Sequence, residues 1–184
     1  MTGLLRKVRF LEQHELGPRY DVVIVGGGVN GLSLAYHLAE VHGIRDVAVL
    51  ERSYLGSGAS GRNTQVLRAN YNTPETVPLY EGSLRMYRTL SQELDFNILF
   101  TDQGELDLCH TPDSLRVERE KSLLNRALGV RTDILTPEEA LKVCPLVDLT
   151  GGGELPVVGA SYHPPGAFAR HHAVVWGYAA APHR

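Results

Sequence analysis

Three glycines near the start of the chain have the spacing of a phosphate-binding loop. Gly26, Gly28 and Gly31 follow a continuous apolar run, residues 20–26, and open a segment with helical periodicity, residues 30–42. In such a loop the first glycine permits a tight turn, the second lets the backbone approach a pyrophosphate, and the third lets helix and strand pack closely. The helix N-terminus then offers free N–H groups and a positive dipole end to the phosphates.

An acidic residue follows this loop at the distance that a dinucleotide requires. Glu51 ends a second apolar run, residues 47–50, and lies 20 residues after Gly31. A carboxylate at this position accepts hydrogen bonds from both ribose hydroxyls, and it would repel a 2′-phosphate. The loop and the acid together predict a dinucleotide site, and they leave both NAD and FAD open.

A second polar loop favours FAD. Residues 56–64 supply backbone amides together with the hydroxyls and guanidinium of Ser60, Arg62 and Thr64 and the amide of Asn63. A long flavin lying across the carboxyl edge of a parallel sheet needs such donors for its second phosphate, ribityl chain and ring, whereas a nicotinamide enzyme rarely does. We therefore interpret residues 52–75 as a ligand-binding loop rather than a spacer.

The elements that must position these loops form a βαβ unit. Strand, helix and strand follow one another within about 30 residues, which implies a parallel sheet with a right-handed crossover. The continuous apolar run 20–26 predicts a first strand that is buried on both faces. A helix is expected at about residues 79–94, with its inward side chains being Leu84, Tyr87, Leu90 and Leu94.

The rest of the chain has the signals of an antiparallel region with short helices. Residues 98–101 and 105–110 flank Asp102-Gln103-Gly104, which predicts a half-buried β-hairpin. Thr-Pro pairs at 111–112 and 136–137 predict helix starts, the second with a capping box, and Gly129 closes the first of these helices. A strand is expected at 157–162 and a last helix at about 169–181.

Composition excludes several classes of protein. The net charge of −3 does not favour nucleic acid as a partner, and no segment approaches about 20 apolar residues, so no membrane span is expected. Cys109 and Cys144 form no C-x-x-C pattern, which is typical of packing residues in a reducing, cytoplasmic compartment. Apart from the adjacent His171 and His172, the eight histidines do not cluster, so no metal site is predicted.

Several motifs resemble one family in the right order. YDVVIVGGGVNGLSLAYHLA, VAVLER and GSGASGRNTQVLRANY, followed by LFTDQGELDLCHT, EALKVCPLV and AFARHHAVVWGYA, are similar to the amino-oxidising flavoproteins of the D-amino-acid oxidase superfamily. Within it the chain resembles the β subunits of heterotetrameric sarcosine oxidases over roughly residues 20–180. The resemblance implies an α/β fold: a partial FAD-binding Rossmann-like parallel sheet with the start of an antiparallel substrate-binding domain.

The resemblance also implies a domain order. The chain would then consist of an N-terminal arm (1–19), an FAD-binding βαβ unit with its flavin loop (20–95), a substrate or interface segment with the β-hairpin (96–165), and a truncated return helix with an FMN-attachment motif (166–184).

In this family FAD is bound non-covalently and FMN is attached through a histidine. The motif Ala169-Arg170-His171 matches the attachment site, so the resemblance assigns covalent FMN to His171 rather than His172. An ordinary histidine at a helix N-terminus is the alternative. Arg170 either pairs with the FMN phosphate or ring, or is a solvated charge. The full predicted cofactor set is Gly26, Gly28, Val29, Asn30, Gly31, Glu51, Arg52, Ser60, Arg62, Asn63, Thr64, Arg170 and His171.

The implied reaction is the oxidation of sarcosine to glycine and formaldehyde, or to methylene-tetrahydrofolate, with hydrogen peroxide formation and with α, γ and δ subunits as partners. A dehydrogenase of dimethylglycine or another N-methyl amine, and a non-catalytic flavin-binding fragment, remain alternatives. Family members run to about twice this length, and Pro182 interrupts the last helix. The expectation is therefore a truncated chain or fragment that is inactive alone. No catalytic base is assigned; His110, His163 and Tyr162 are conceivable.

Overall fold

The structure, a computed structural model of the chain, describes residues 15–181. Most of the predicted N-terminal arm, residues 1–14, and the last residues, 182–184 with Pro182, lie outside this part. The described chain is an α/β fold with a parallel sheet and antiparallel sheets, as predicted.

The chain forms two compact units that are not contiguous in sequence. The first unit contains the chain up to Thr64, Leu90–Leu99 and the chain from Arg170 onward. The second unit contains Gln65–Thr89 and Phe100–Ala169.

The first unit contains the predicted strand–helix–strand sequence. Strands β1 (Val22–Val25) and β2 (Val47–Leu50) pair in parallel, and helix α1 (Val29–His42) connects them. The helix ends at Gly43, whose φ of 67° lets its N–H donate to the Ala39 carbonyl. This is the glycine stop expected for a helix whose chain must turn back to a parallel strand.

Helix α5 (His171–Ala180) packs on α1 within the same unit. The rings of Tyr36 and Tyr178 meet edge to face, with their centroids 5.6 Å apart. Gly177 allows close packing, because a Cβ there would lie 3.0 Å from Leu94 Cδ1 and 3.3 Å from Phe96 Cδ1.

The prediction that β1 is buried on both faces is wrong for the described chain. Ile24 is 8% exposed, whereas its neighbours Val23 and Val25 are 52% and 86% exposed. Side chains alternate between the faces of a strand, so only the Ile24 face of β1 is directed toward α1. The opposite face carries the two valines, and the described residues do not cover it.

The second unit is built on antiparallel sheets. One sheet has the strand order β4-β6-β5, and a separate pair joins β3 to β7. The strands are β3 (Val66–Leu67), β4 (Glu105–Cys109), β5 (Asp133–Leu135), β6 (Gly159–His163) and β7 (Ala167–Phe168).

Three further helices belong to the described chain; two of them start at the predicted Thr-Pro signals, and the one predicted at about residues 79–94 begins two residues earlier. They are α2 (Val77–Glu93), α3 (Pro112–Ala127) and α4 (Pro137–Val143). Thr111 and Thr136 cap α3 and α4, each with a capping box and a proline in the first turn. Leu84, Leu90 and Leu94 are buried, as predicted. Within residues 15–181 no helix is long and apolar enough to cross a membrane.

The predicted hairpin between residues 98–101 and 105–110 is wrong. Strand β4 pairs with β6, which lies about fifty residues further on, and Thr101 forms a bridge with Phe168 instead. Gly104 explains the departure: its φ is +80°, its N–H donates to the Gly166 carbonyl at 2.7 Å, and the Tyr162 ring lies against it. Residues 102–104 form no turn between paired strands, and the pairing partner of β4 is remote in sequence.

Candidate cofactor site

The glycine loop is too crowded to accept side chains. A Cβ on Gly31 would collide with the Gly26 carbonyl oxygen and lie 3.2 Å from Ile24 Cγ2. A Cβ on Gly28 would lie 2.9 Å from Ser60 Oγ. Gly26 has a φ of +112°, a conformation that side chains rarely adopt. The structure therefore requires glycine at positions 26 and 31, whereas a side chain at position 28 would have to displace Ser60 Oγ.

Helix α1 begins without a side-chain cap. Its N-cap is Gly28, and the Val29 N–H donates to Ser60 Oγ at 2.9 Å. Asn30 and Gly31 follow in the first turn, where helix geometry supplies no carbonyl partner for the N–H groups. The start of α1 is thus a cluster of N–H donors at the positive end of a helix dipole, which is a general anion site.

Glu51 contacts this loop directly. Its carboxylate accepts from the Gly27 N–H and the Ser53 N–H, each at 2.9 Å, and from Ser57 Oγ at 3.3 Å. These bonds, first of all that from Gly27, hold the pKa of Glu51 below its ordinary value. The carboxylate is therefore ionised at neutral pH.

Sequence reasoning missed two contributors to this contact. Gly27 is an unspecified position of the motif, yet a Cβ there would lie 2.6 Å from Leu55 Cδ2 and 3.0 Å from Glu51 Cβ. The run of three consecutive glycines was the available signal. Ser57 carried no signal beyond its place in the polar loop.

The second loop docks on the first. The Gly56 N–H donates to the Gly27 carbonyl at 2.9 Å, and a short 3-10 turn at Ala59–Gly61 brings Ser60 to the start of α1. Asn63 supports this turn by donating to the Ala59 and Ser60 carbonyls at 3.2 and 3.0 Å. The structure therefore joins Ser60 to the glycine loop and gives Asn63 a local structural contact.

Three predicted site residues stay apart from this cluster. Arg52, Arg62 and Thr64 are exposed, and the hydrogen bonds that hold the glycine loop within residues 15–181 do not involve their side chains. Their positions next to Glu51 and the 3-10 turn leave them available to a ligand that lies on this surface.

Arg170 and His171 lie at the start of α5, in the same unit. Arg170 is the N-cap, and its N–H donates to the Ile98 carbonyl at 3.0 Å. Both ring nitrogens of His171 are shielded from solvent and have no hydrogen-bond partner among the described residues. Burial, together with His172 and Arg170, lowers the pKa of His171, so its imidazole is neutral at pH 7.

The conceivable bases occupy structural positions. His163 uses both ring nitrogens, one toward the Arg131 carbonyl at 2.6 Å and one toward the Ala69 N–H at 3.3 Å. His110 Nδ1 contacts the Leu155 carbonyl at 2.7 Å. Tyr162 packs against Gly104. In the described part of the chain no group of three or more His, Cys, Asp or Glu side chains could hold a metal ion.

Comparison with known proteins agrees with a nucleotide site. The FAD dependent oxidoreductase family matches residues 21–184. Sarcosine oxidase subunit beta of Arthrobacter sp is 43% identical over 160 residues, which cover 87% of this chain and 40% of that protein. Mitochondrial dimethylglycine dehydrogenase of Rattus norvegicus is 32% identical over 133 residues, covering 71% of this chain and 15% of that protein.

A solved structure shows the same fold. L-proline dehydrogenase from P. horikoshii superposes with a TM-score of 0.80 at 26% identity, over 91% of this chain and 42% of that one. The chain spans 39–40% of the length of the sarcosine oxidase β subunits that it matches.

Proposed function

Since this chain belongs to the FAD dependent oxidoreductase family, we propose that it forms the FAD-binding part of an enzyme that oxidises sarcosine or a related N-methyl amine. FAD held by these residues would supply the redox chemistry for the net conversion of sarcosine, O₂ and water to glycine, formaldehyde and hydrogen peroxide. Resemblance to sarcosine oxidase β subunits over 87% of the chain supports this substrate class.

One observation carries the cofactor assignment. The Glu51 carboxylate lies against the glycine loop through its bond to the Gly27 N–H at 2.9 Å, with α1 opening immediately beyond. The residues fit FAD, because the N-cap Gly28 places no side chain over the start of α1 and helix geometry leaves the Asn30 and Gly31 N–H groups of this cradle without a carbonyl partner. Glu51 would accept from the adenosine ribose, and the loop amides and Ser60 would hold the diphosphate.

Charged residues around the cradle would complete the binding site. Arg52 and Arg62 are exposed beside it, and they would offset the negative charge of the diphosphate. Thr64 and Asn63 would add polar contacts along the cofactor. The role of these side chains is to bind and orient, because the flavin itself supplies the redox chemistry.

We extend the proposal to FMN at His171, with Arg170 beside it as a partner for FMN. Two unpartnered ring nitrogens and a lowered pKa support this assignment, since only a neutral imidazole can form a bond to a flavin methyl group.

The matching subunit names of the relatives support assembly with further subunits. Tetrahydrofolate is proposed as an acceptor for the one-carbon unit.

Mass spectrometry of the assembled enzyme tests the FMN assignment. After denaturation and proteolysis, the peptide that spans residues 166–176 should carry the mass of one FMN on His171. An adduct on His172, or an active enzyme without any adduct, would contradict the assignment.

The second candidate is oxidation of dimethylglycine. The relative from Rattus norvegicus favours it, although at 32% rather than 43% identity. Rates of substrate consumption with sarcosine and with dimethylglycine, measured with O₂ and with an artificial electron acceptor, separate the two.

We propose a cytoplasmic location, which the two free cysteines support.

The FAD assignment is tested with flavin content after desalting. Gly28→Val should abolish retention because its side chain would meet Ser60, and Glu51→Gln should weaken FAD binding by roughly tenfold through loss of charge-assisted bonds. Gly82→Val is the matched control, because a Cβ at Gly82 meets nothing within 4 Å. Stoichiometric FAD in both site variants would refute the proposal.

A further inference from the structure

Leu99 has a backbone conformation that its residue type disfavours. Its φ is +55°, and among the non-glycine residues of the described chain only Gln65 and Asp95 share a positive φ. A side chain in this left-handed region costs free energy, because its Cβ crowds the backbone. The Leu99 side chain is 52% exposed, so burial offsets little of this cost. Strain of this kind persists only where other contacts determine the backbone.

The contacts that determine it lie on both sides of one peptide group. The peptide between Ile98 and Leu99 donates through the Leu99 N–H to Asn97 Oδ1 at 2.9 Å, and its carbonyl oxygen accepts from the Arg170 N–H at 3.0 Å. The φ of Leu99 sets the orientation of this peptide plane. The left-handed turn therefore directs the Ile98 carbonyl toward Arg170, while the Asn97 amide oxygen holds the opposite side of the plane.

Ile98 anchors this turn in the first unit. Its side chain is fully buried, and its N–H donates to Ser91 Oγ of α2 at 3.3 Å. Its two neighbours, Asn97 and Leu99, are exposed. Their side chains therefore contribute little to the core, and the visible role of Asn97 is the bond to the Leu99 N–H.

Arg170 carries the effect of this turn to α5. Its N–H is held by the Ile98 carbonyl, and its own carbonyl accepts from the Val174 N–H at 3.0 Å, so the peptide groups on both sides of Arg170 are hydrogen-bonded. These two bonds fix the direction in which the His171 side chain leaves the start of α5. Neither ring nitrogen of His171 has a hydrogen-bond partner among the described residues. The position of the ring therefore depends on the backbone and on packing, including the His172 ring at 4.2 Å between centroids.

We propose that Asn97 is a positioning residue for His171, acting through the peptide of Ile98 and Leu99 and the Arg170 N–H. Asn97 itself has no contact with the imidazole; its amide oxygen keeps the start of α5 in one arrangement. The inference rests on the proposed role of His171 in holding FMN, and it adds the residue that keeps the imidazole in place for that role.

Chemical modification of the 184-residue chain measures how firmly the ring is held. Diethyl pyrocarbonate acylates the nitrogens of neutral, accessible imidazoles, and mass spectrometry of the peptide that spans residues 166–176 reports the two histidines separately. His171 is shielded and should react slowly, whereas His172 is exposed and provides an internal reference. Because a shielded nitrogen reacts only when the start of α5 opens, its rate reports the population of the open form.

Variants of Asn97 test the acceptor. Asn97→Ala removes Oδ1 and should accelerate the modification of His171 by roughly fivefold to tenfold, the change in open population expected for one lost hydrogen bond. Asn97→Asp retains an acceptor and should restore the slow rate. Gln92→Ala, at an exposed position of α2, is the matched control and should react like the unmodified chain. An unchanged rate in folded Asn97→Ala, or no rescue by Asn97→Asp, would overturn the proposal.

Variants of Leu99 test the turn independently of Asn97. Glycine adopts a positive φ readily, so Leu99→Gly should keep His171 protected. Leu99→Val retains the N–H donor, but a β-branched residue resists this φ, so the modification of His171 should become faster. Both variants replace the same half-exposed side chain. Faster modification in Leu99→Gly than in Leu99→Val would contradict the proposal, and this pair decides if Asn97→Ala fails to fold.

The FMN content of the assembled enzyme separates this inference from the proposal on which it rests. Asn97→Ala should lower the fraction of the peptide 166–176 that carries FMN, and Asn97→Asp should restore it. If the unmodified enzyme carries no FMN on His171 while protection still depends on Asn97, the FMN proposal fails and the positioning of the imidazole stands. Full FMN occupancy in Asn97→Ala would overturn the positioning role.

Discussion

Glu51 and His163 show how the surroundings of a side chain determine its protonation state. Two backbone N–H groups stabilise the Glu51 carboxylate and lower its pKa, whereas burial lowers the pKa of His163 and favours its neutral form. His163 Nδ1 contacts the Arg131 carbonyl, which can only accept a hydrogen bond, so Nδ1 carries the proton. Nε2 then accepts from the Ala69 N–H. Glu51 belongs to the proposed ligand site, while His163 joins segments of the second unit.

His163 predicts a pH dependence of stability. Because its pKa in the fold lies below the ordinary 6.5, its contribution is fully present above pH 6.5 and is lost as the pH falls through the lowered value. The free energy of unfolding from denaturant titration should therefore decrease from pH 7.5 to pH 5.5.

His163→Gln should reduce this decrease and lower stability at pH 7.5, because it removes the buried ring. His42→Gln, at the exposed end of α1, is the control and should keep the pH dependence. An unchanged slope in His163→Gln would show that other groups cause it.

At the level of elements, the helices differ in how they begin. Helices α3 and α4 start with capping boxes at Thr111 and Thr136, whereas α1 starts at Gly28 without a side-chain cap. The capped starts satisfy their own N–H groups and have a structural role. At the start of α1 Ser60 Oγ accepts from the Val29 N–H, whereas the next N–H groups receive no cap from Gly28 and stay available, which is what the proposed binding of a diphosphate requires.

The cap of α4 gives a prediction for this element. Thr136 Oγ1 accepts from the Glu139 N–H at 3.2 Å, and Glu139 Oε2 accepts from the Thr136 N–H at 2.8 Å. Thr136→Ala should lower the free energy of unfolding by about 1 kcal/mol. Thr136→Ser keeps the hydroxyl and should retain most of the stability of the unmodified chain. Equal losses in thermal or denaturant unfolding would show that the methyl group, not the hydroxyl, is responsible.

At the scale of the whole molecule, residues far apart in sequence are collected into one unit. The glycine loop, the 3-10 turn and the start of α5 all lie in the first unit, which therefore contains every predicted cofactor residue. The described chain also exposes large apolar side chains, among them Val25 and Leu146 at 86% and 94%. Exposed apolar surface of this kind favours self-association.

Adjacent positions of β1 test this description. Ile24→Thr should cost about 2 kcal/mol of unfolding free energy, because it places a hydroxyl against α1. Val25→Thr should change stability by less than about 0.5 kcal/mol and reduce binding of a hydrophobic dye. Similar losses of stability in the two variants would mean that Val25 is covered in solution.

Much of the first unit could be predicted from sequence because its signals are local. The glycine spacing, the apolar runs of β1 and β2, and Glu51 at the end of β2 lie within about thirty residues of one another. The proline and threonine starts of α3 and α4 are also local, since a cap bonds to residues three positions away. Backbone geometry over a few neighbouring residues depends mainly on their types. The structure therefore confirms these helices and strands.

Only the tertiary structure decided the partner of β4, the exposure of Val25 and the low exposure of the Glu105 side chain. An alternating pattern shows that Glu105 and Leu108 lie on opposite faces of a strand, but it does not show what packs on each face. Because β4 pairs with β6 and its Glu105 meets Arg68, the Glu105 side chain is only 10% exposed, while Leu108 is 36% exposed. Such pairings depend on contacts between segments dozens of residues apart. A local sequence pattern does not reveal the free energy of these contacts.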